Sequence, residues 1–178
     1  MKKATLLFVV LIVSCSATLA QPRAFGGRIA FSIGASGQYN IGKENMLQAD
    51  VELLGLFTAV QASVTYNWLF PIKRWKNSEL NAFAGVGAGG GYAWDYYLGI
   101  VGLPYDNFDS CSNCWDRFWF IGGVGNLGLE LNFKSGLQLS VEWRPIVAPA
   151  FFRGIGAGYY LEGLYIGAWA VGVRYKFN

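Results

Sequence analysis

Cys111-Ser112-Asn113-Cys114 is the spacing in this chain that comes nearest to a reactive site. In a reducing compartment a C-x-x-C pair suits redox chemistry or half of a zinc site. Zinc needs further ligands, and the chain has neither a second such pair nor any histidine. Export would place the pair in an oxidising setting, where a local disulfide pinning a loop is the expectation. The missing histidine also removes Ser-His-Asp and Cys-His nucleophilic sites and a histidine base. Asp106, Asp109 and Asp116 lie near the cysteines. Calcium favours such oxygen ligands, but the spacing matches no calcium loop and reads as a solvated acidic loop. Gly85-Val86-Gly87-Ala88-Gly89-Gly90-Gly91 has the glycine density of a nucleotide loop but lacks Lys-Ser/Thr and a following helix. It reads as a strand with a glycine-rich inner face. Nothing points to Ser-Lys or paired-carboxylate catalysis, so no catalytic residue, no metal and no cofactor is expected.

The remaining chemistry is charge, and its positions follow a pattern. Glu52, Glu130, Glu142, Arg28, Arg144, Arg174 and Lys176 each sit on the polar side of a segment that alternates with period two. A side-chain period of two is the signature of a strand with one apolar and one polar face. From Val60 to Phe70, one face carries Val60, Ala62, Val64, Tyr66, Trp68 and Phe70; the other carries Gln61, Ser63, Thr65, Asn67 and Leu69. Leu137, Leu139, Val141 and Trp143 oppose Gln138, Ser140, Glu142 and Arg144. The last segment sets Tyr165, Trp169, Val171, Val173, Tyr175 and Phe177 against Gly172, Arg174 and Lys176. Ile29 to Ala35, Leu47 to Leu53 and Leu127 to Phe133 alternate in the same way, and Leu80 to Tyr92 alternates apolar residues with glycine. Gly42 to Asn45 reads as a turn, Pro71 to Ser78 as a polar connection and Lys134 to Gly136 as a tight hairpin turn. Residues 95–116 form the longest loop, and residues 149–163 a second loop or a further short strand. If Pro71 to Ser78 and Lys134 to Gly136 share one side, residues 95–116 face the other. An odd number of crossings must then precede residue 60, and no turn signal supplies it.

Hydrophobic residues make up 53% of the chain and charged residues 14%, against about 25% charged in an ordinary soluble domain. Lys2 and Lys3 precede an apolar run from Leu6 to Val13, and small residues follow to Ala20. That layout predicts a secretory signal over residues 1–20, cleaved after Ala20, with a single domain over 21–178. Ile12-Val13-Ser14-Cys15 has the look of a lipobox, which would put a lipid on Cys15; the small-residue stretch suits ordinary cleavage better. Lysine and arginine total 14 against 11 acids; losing Lys2 and Lys3 leaves about +1, and with no basic run nothing attracts nucleic acid. No later apolar run is long enough for a helical span. High apolarity without long apolar runs leaves a closed barrel as the way across a bilayer. A soluble sandwich would bury its apolar face; a membrane barrel turns that face to lipid and lines its lumen with the polar one. Aromatics gather at segment ends, at Tyr66, Trp68, Phe70, Tyr92, Trp94, Trp119, Trp143, Tyr175 and Phe177, where interfacial girdles sit. The polar faces are poor in lysine and rich in Gly, Ser, Gln and Asn. The expectation is therefore an all-β antiparallel transmembrane barrel. Seven or eight segments are visible, and bacterial barrels take even strand numbers from eight upward, so eight strands are expected.

The ending Trp169-Ala170-Val171-Gly172-Val173-Arg174-Tyr175-Lys176-Phe177-Asn178 resembles the terminal strand of outer-membrane barrels. Tyr66-Asn67-Trp68-Leu69-Phe70-Pro71-Ile72 and Leu139-Ser140-Val141-Glu142-Trp143-Arg144-Pro145 resemble small barrel proteins of Bacteroides-like Gram-negative bacteria, similar to the eight-stranded outer-membrane-protein-A/X type. The resemblance covers most of the mature chain through weak motifs. It implies the cell outer membrane as location and its lipid as surroundings. It also implies that the insertion machinery reads a C-terminal aromatic; here Phe177 is penultimate. Barrel lipases that deacylate lipid A use a histidine-paired serine, which this chain lacks. The functional expectation is a non-enzymatic envelope scaffold or surface-interaction protein, its loops meeting an unnamed partner. An interior network in which Arg144 or Arg174 bridges Glu130 and Glu142 would plug the lumen. The alternative is a narrow pore or small-solute channel.

Overall fold

The structure is a computed structural model that describes residues 21–42, 44–54, 57–94, 117–152, 156–162 and 169–177. The expected signal, Cys15, the loop over 95–116 and its Cys111–Cys114 disulfide lie outside the described residues. Ten strands are present: β1 (Gln21–Ile29), β2 (Ser32–Asn40), β3 (Asn45–Leu54), β4 (Ala59–Arg74), β5 (Ser78–Ala93), β6 (Phe118–Phe133), β7 (Leu137–Trp143), β8 (Ile146–Phe152), β9 (Gly156–Glu162) and β10 (Trp169–Lys176). All pair antiparallel in the order β5-β4-β3-β2-β1-β10-β7-β6-β8-β9, and β5 also pairs with β6. That last pairing closes β1–β7 and β10 into an eight-stranded barrel. β7 and β8 lie on β6 in one continuous register, with Gly128↔Glu142 followed by Val124↔Ile146. Pro145 sits between them. It has no N–H to give the ladder, but its carbonyl accepts from the Gly125 amide at 2.9 Å. β8 and β9 thus prolong one wall beyond the ring. Followed once round the ring, the registers return to β1 about ten residues from their start, the stagger that tilted strands need to close a barrel.

The path of the chain departs from the sequence expectations in three places. Ile29 to Ala35 is not one strand segment: β1 and β2 meet there in a tight hairpin, with Ile29 paired to Ile33 across Ala30, Phe31 and Ser32. This is the turn missing before residue 60, and it makes the crossings there three. Its flanking residues differ by an even number, so the alternation runs through the turn without a break in phase. Pro71 to Ser78 is not wholly a connection. β4 continues to Arg74 through a register shift between Pro71 and Lys73, and only Trp75–Asn77 turn. A strand tolerates proline at an edge or bulge, and here β3 has already ended at Asn45↔Trp68. Residues 149–163, read as a second loop or a further short strand, hold most of β8 and all of β9, which are paired strands. The short connections 41–44, 75–77 and 134–136 then lie at one end with the start of β1 and the end of β10. The turn 30–31, the end of β3, the start of β4, the end of β5, the start of β6 and the end of β8 lie at the other.

The core is inverted in polarity. Outward positions such as Ile29, Ile33, Val51, Val64, Val86, Leu129, Val141, Val171 and Val173 are exposed. Inward positions such as Gln38, Gln48, Thr65, Asn67, Asn126, Glu130, Gln138, Glu142 and Arg174 are at most 1% exposed. Near the 94–117 connection the interior changes character. Ala93, Phe118, Phe120, Val124, Ile146, Ala148 and Ala150 form a buried apolar cluster, on the β6 face that carries Asn126 and Glu130 further along. The inner face is thus apolar at one end, where a polar lumen throughout was expected. The residues between, Trp119, Ile121 and Val147, are also apolar and exposed. A strand apolar on both faces loses its alternation.

Candidate functional site

Strand alternation delivers polar side chains to the barrel interior from nearly every wall, and there they meet. Glu142 on β7 is the hub of the larger group. Its Oε1 accepts from Arg174 Nη2 at 2.6 Å and from Ser140 Oγ at 2.8 Å. Its Oε2 accepts from Arg144 Nη2 and Gln48 Nε2, both at 3.0 Å, with Arg28 Nε 3.4 Å away. Arg144, in the link between β7 and β8, carries the group across the lumen to β3. Its Nη1 lies 2.8 Å from Asp50 Oδ2 and 3.1 Å from Glu52 Oε1, and donates to Ser63 Oγ at 3.2 Å. Arg28 also pairs with Glu52, whose second oxygen accepts from Ser32 Oγ at 2.6 Å. Arg174 completes its fork on Ser36 Oγ at 2.9 Å and Ser140 Oγ at 2.7 Å.

A second group lies toward the short-turn end. Glu130 pairs with Arg23 and accepts from Asn81 at 3.0 Å, Asn132 at 2.8 Å and Gln138 at 3.2 Å. Gln38 ties the groups together, accepting from Arg23 at 3.3 Å and donating to Gln48 at 3.1 Å. A third, uncharged group joins Asn126, Asn67 and Thr65 through bonds of 2.9 and 3.0 Å. Glycines leave the room these side chains need: a Cβ at Gly85 would collide with Asn67 Oδ1, and one at Gly172 with Ser140 Oγ.

The buried charges balance. Arg23, Arg28, Arg144 and Arg174 stand against Asp50, Glu52, Glu130 and Glu142, and no lysine is buried among the described residues. A guanidinium offers five donors in a planar fork and can serve two or three carboxylates at once, which a single ammonium does less well. An isolated ion in such a place would cost several kcal/mol; here each carboxylate has a cation and further donors.

Glu52, Glu130, Glu142, Arg28, Arg144 and Arg174 therefore all lie in the interior, while Lys176 lies half-buried at its short-turn end. The expected bridge between Glu130 and Glu142 through Arg144 or Arg174 is not formed. Both arginines serve Glu142, and Glu130 takes Arg23 instead. Two members were overlooked in the sequence. Asp50 shares the polar side of β3 with Gln48 and Glu52, so its signal was present. Arg23 had none: a register shift between Pro22 and Ala24 reverses the phase, so Arg23 and Ala24 are both buried. The expected girdle aromatics lie on the outward faces. Tyr66, Trp68 and Phe70 sit toward the short-turn end of β4, and Tyr175 and Phe177 at that end of β10. Trp119 lies at the loop end of β6, stacked on Phe151 at 4.2 Å, and Trp143 is half-buried at the loop-ward end of β7.

Among the described residues no set of three or more side chains is grouped to hold a metal. No helix of the described residues is long and apolar enough to cross a membrane, which says nothing of strands. The interior arrangement can fill the lumen, cross-link its walls and neutralise its charges. Comparison with family models, with curated proteins and with solved structures returned no match.

Proposed function

We propose that this protein is a small outer-membrane barrel whose lumen is plugged by its own charge network. It acts as a non-enzymatic envelope scaffold or through surface contacts made at its loop end. The observation that carries this reading is the inverted polarity: four arginines and four carboxylates buried inside a closed barrel whose outer wall is apolar. In water that wall would expose far more contiguous apolar surface than a soluble monomer tolerates; in a bilayer it is matched. The likeness of Trp169 to Asn178 to the terminal strand of outer-membrane barrels supports the reading, as does the export signal read over residues 1–20. So does the one long connection, between β5 and β6, set at the end opposite the turns 41–44, 75–77 and 134–136, as extracellular loops are in bacterial outer-membrane barrels. An eight-stranded barrel has an interior that side chains just fill, which favours a plug over a pore.

Two measurements test this. The protein should fractionate with outer membranes, resist urea extraction and migrate faster on SDS gels unless boiled. Recovery as a soluble periplasmic protein would overturn the location. In planar bilayers the intact protein should not conduct, whereas Glu142→Ala should produce openings. Steady conductance of the unaltered protein would replace the plug by the narrow-channel reading.

A further inference from the structure

At the short-turn end the β4–β5 hairpin projects beyond β3, and its tip leans on its neighbours. The Lys134 amide in the β6–β7 turn donates to the Asn77 carbonyl at 3.0 Å, and the Lys176 amide of β10 donates to the Gly136 carbonyl at 2.6 Å. Between them lies a cleft of about 470 Å³ whose lining includes Arg74, Trp75, Lys76, Glu79, Lys134 and Lys176. The cations come from four separate parts of the fold: β4, its turn, the β6–β7 turn and β10. Glu79 is the one carboxylate in the lining, and Arg74 holds it at 3.0 Å. Three lysines thus face the cleft without an acid of their own in the lining. The lumen, by contrast, sets every buried arginine against a carboxylate. Gathered like charges repel, and an anion between them removes the repulsion.

We propose that this cleft binds the headgroup of an anionic phospholipid. Lysine and arginine together are the usual partners of a phosphate group. The surroundings favour a lipid over a free ion. Phe70 and Ile72, on the outer wall of β4 just before the cleft, are 52% and 56% exposed and offer a bed for acyl chains. Trp75 at the tip is exposed, with Lys73 Nζ 5.4 Å from its ring centre. An aromatic ring beside cationic heads is the chemistry of a headgroup boundary. The inference rests on the proposed lipid-facing outer wall.

The test uses the folded protein in dodecylmaltoside micelles, with bound lipid counted by native mass spectrometry. Phosphatidylglycerol should be retained over phosphatidylcholine by about tenfold, a difference near 1.4 kcal/mol. The triple variant Lys76→Gln, Lys134→Gln, Lys176→Gln should lose that preference and keep its unboiled gel mobility, since all three side chains lie on the rim. Equal retention of the two lipids, or a preference unchanged in the variant, overturns the proposal. Displacement of phosphatidylglycerol by inorganic phosphate would also overturn it, in favour of a free-anion site. Loss of heat-modifiable mobility in the unaltered protein would instead mean that the barrel reading itself has failed, and this inference with it.

Discussion

Glu142 touches Arg174 and Arg144 directly and has Arg28 close by. Removing its carboxylate leaves Arg174 without its carboxylate and three buried arginines sharing only Asp50 and Glu52. Breaking one partner of a buried pair typically costs about 3–5 kcal/mol, so Glu142→Ala should lower the unfolding free energy by about that amount in urea titrations in detergent. Arg74→Gln offers the contrast: its pair with Glu79 is exposed at the rim, where such pairs contribute about 0–1 kcal/mol. Equal losses from the two variants would contradict the assignment of Glu142 to a desolvated hub. Gly172→Val should destabilise more than an outward exchange such as Val171→Ala. Its side chain would have to displace Ser140 Oγ and the Arg174 guanidinium, whose Nη1 lies 2.7 Å from where a Cβ would stand. Much of this was legible in period-two spacing, because alternation alone sets Glu52, Glu142 and Arg174 on one side of their strands. What spacing could not supply was pairing between strands. Which arginine meets which carboxylate depends on register, and Arg23 reaches Glu130 only through an irregularity near Pro22 that a regular alternation hides.

Individual strands were legible where their two faces differed, and illegible where the phase was kept or the contrast lost. The β1–β2 hairpin keeps its phase through Ala30, Phe31 and Ser32, of which only Ser32 is a usual turn residue and none is glycine or proline. β8 is apolar on both faces, so no alternation marks it. The protruding part of β4, from Phe70 to Arg74, carries its own protection. Having left β3 behind, it has an open edge on that side, yet it holds Pro71, a register shift and Lys73, devices that discourage edge-to-edge pairing. The double variant Pro71→Thr, Lys73→Val should therefore self-associate in detergent, seen as a larger species in light scattering; a monodisperse double variant would contradict the protective role. The last strand makes a different prediction. Phe177→Ala should slow assembly in cells, where the insertion machinery is proposed to read that end, while leaving refolding into detergent micelles unchanged. A defect in refolding as well would assign Phe177 to barrel stability instead.

For the whole molecule, the deciding feature is the sign of the polarity. Composition suggested it, since 53% hydrophobic and 14% charged residues leave few charges for a water-facing surface. The closed ring and its buried ion pairs give that composition a geometry. Charged groups gather in the lumen and at the rims, and apolar side chains cover the wall between. Loop-end function is the least legible part, because a fold hosts many activities and the site alone names one. The central claim, that the outer wall meets lipid, is tested most directly by spin labels at single cysteines replacing Val64, Val86, Leu129, Val141 and Val171. All five are outward and about half exposed, so the labels leave the lumen undisturbed. In reconstituted vesicles each should collide readily with oxygen dissolved in the bilayer and scarcely with a water-soluble nickel chelate. Labels that collide with the nickel chelate and not with oxygen would show a wall bathed in water and contradict the membrane barrel.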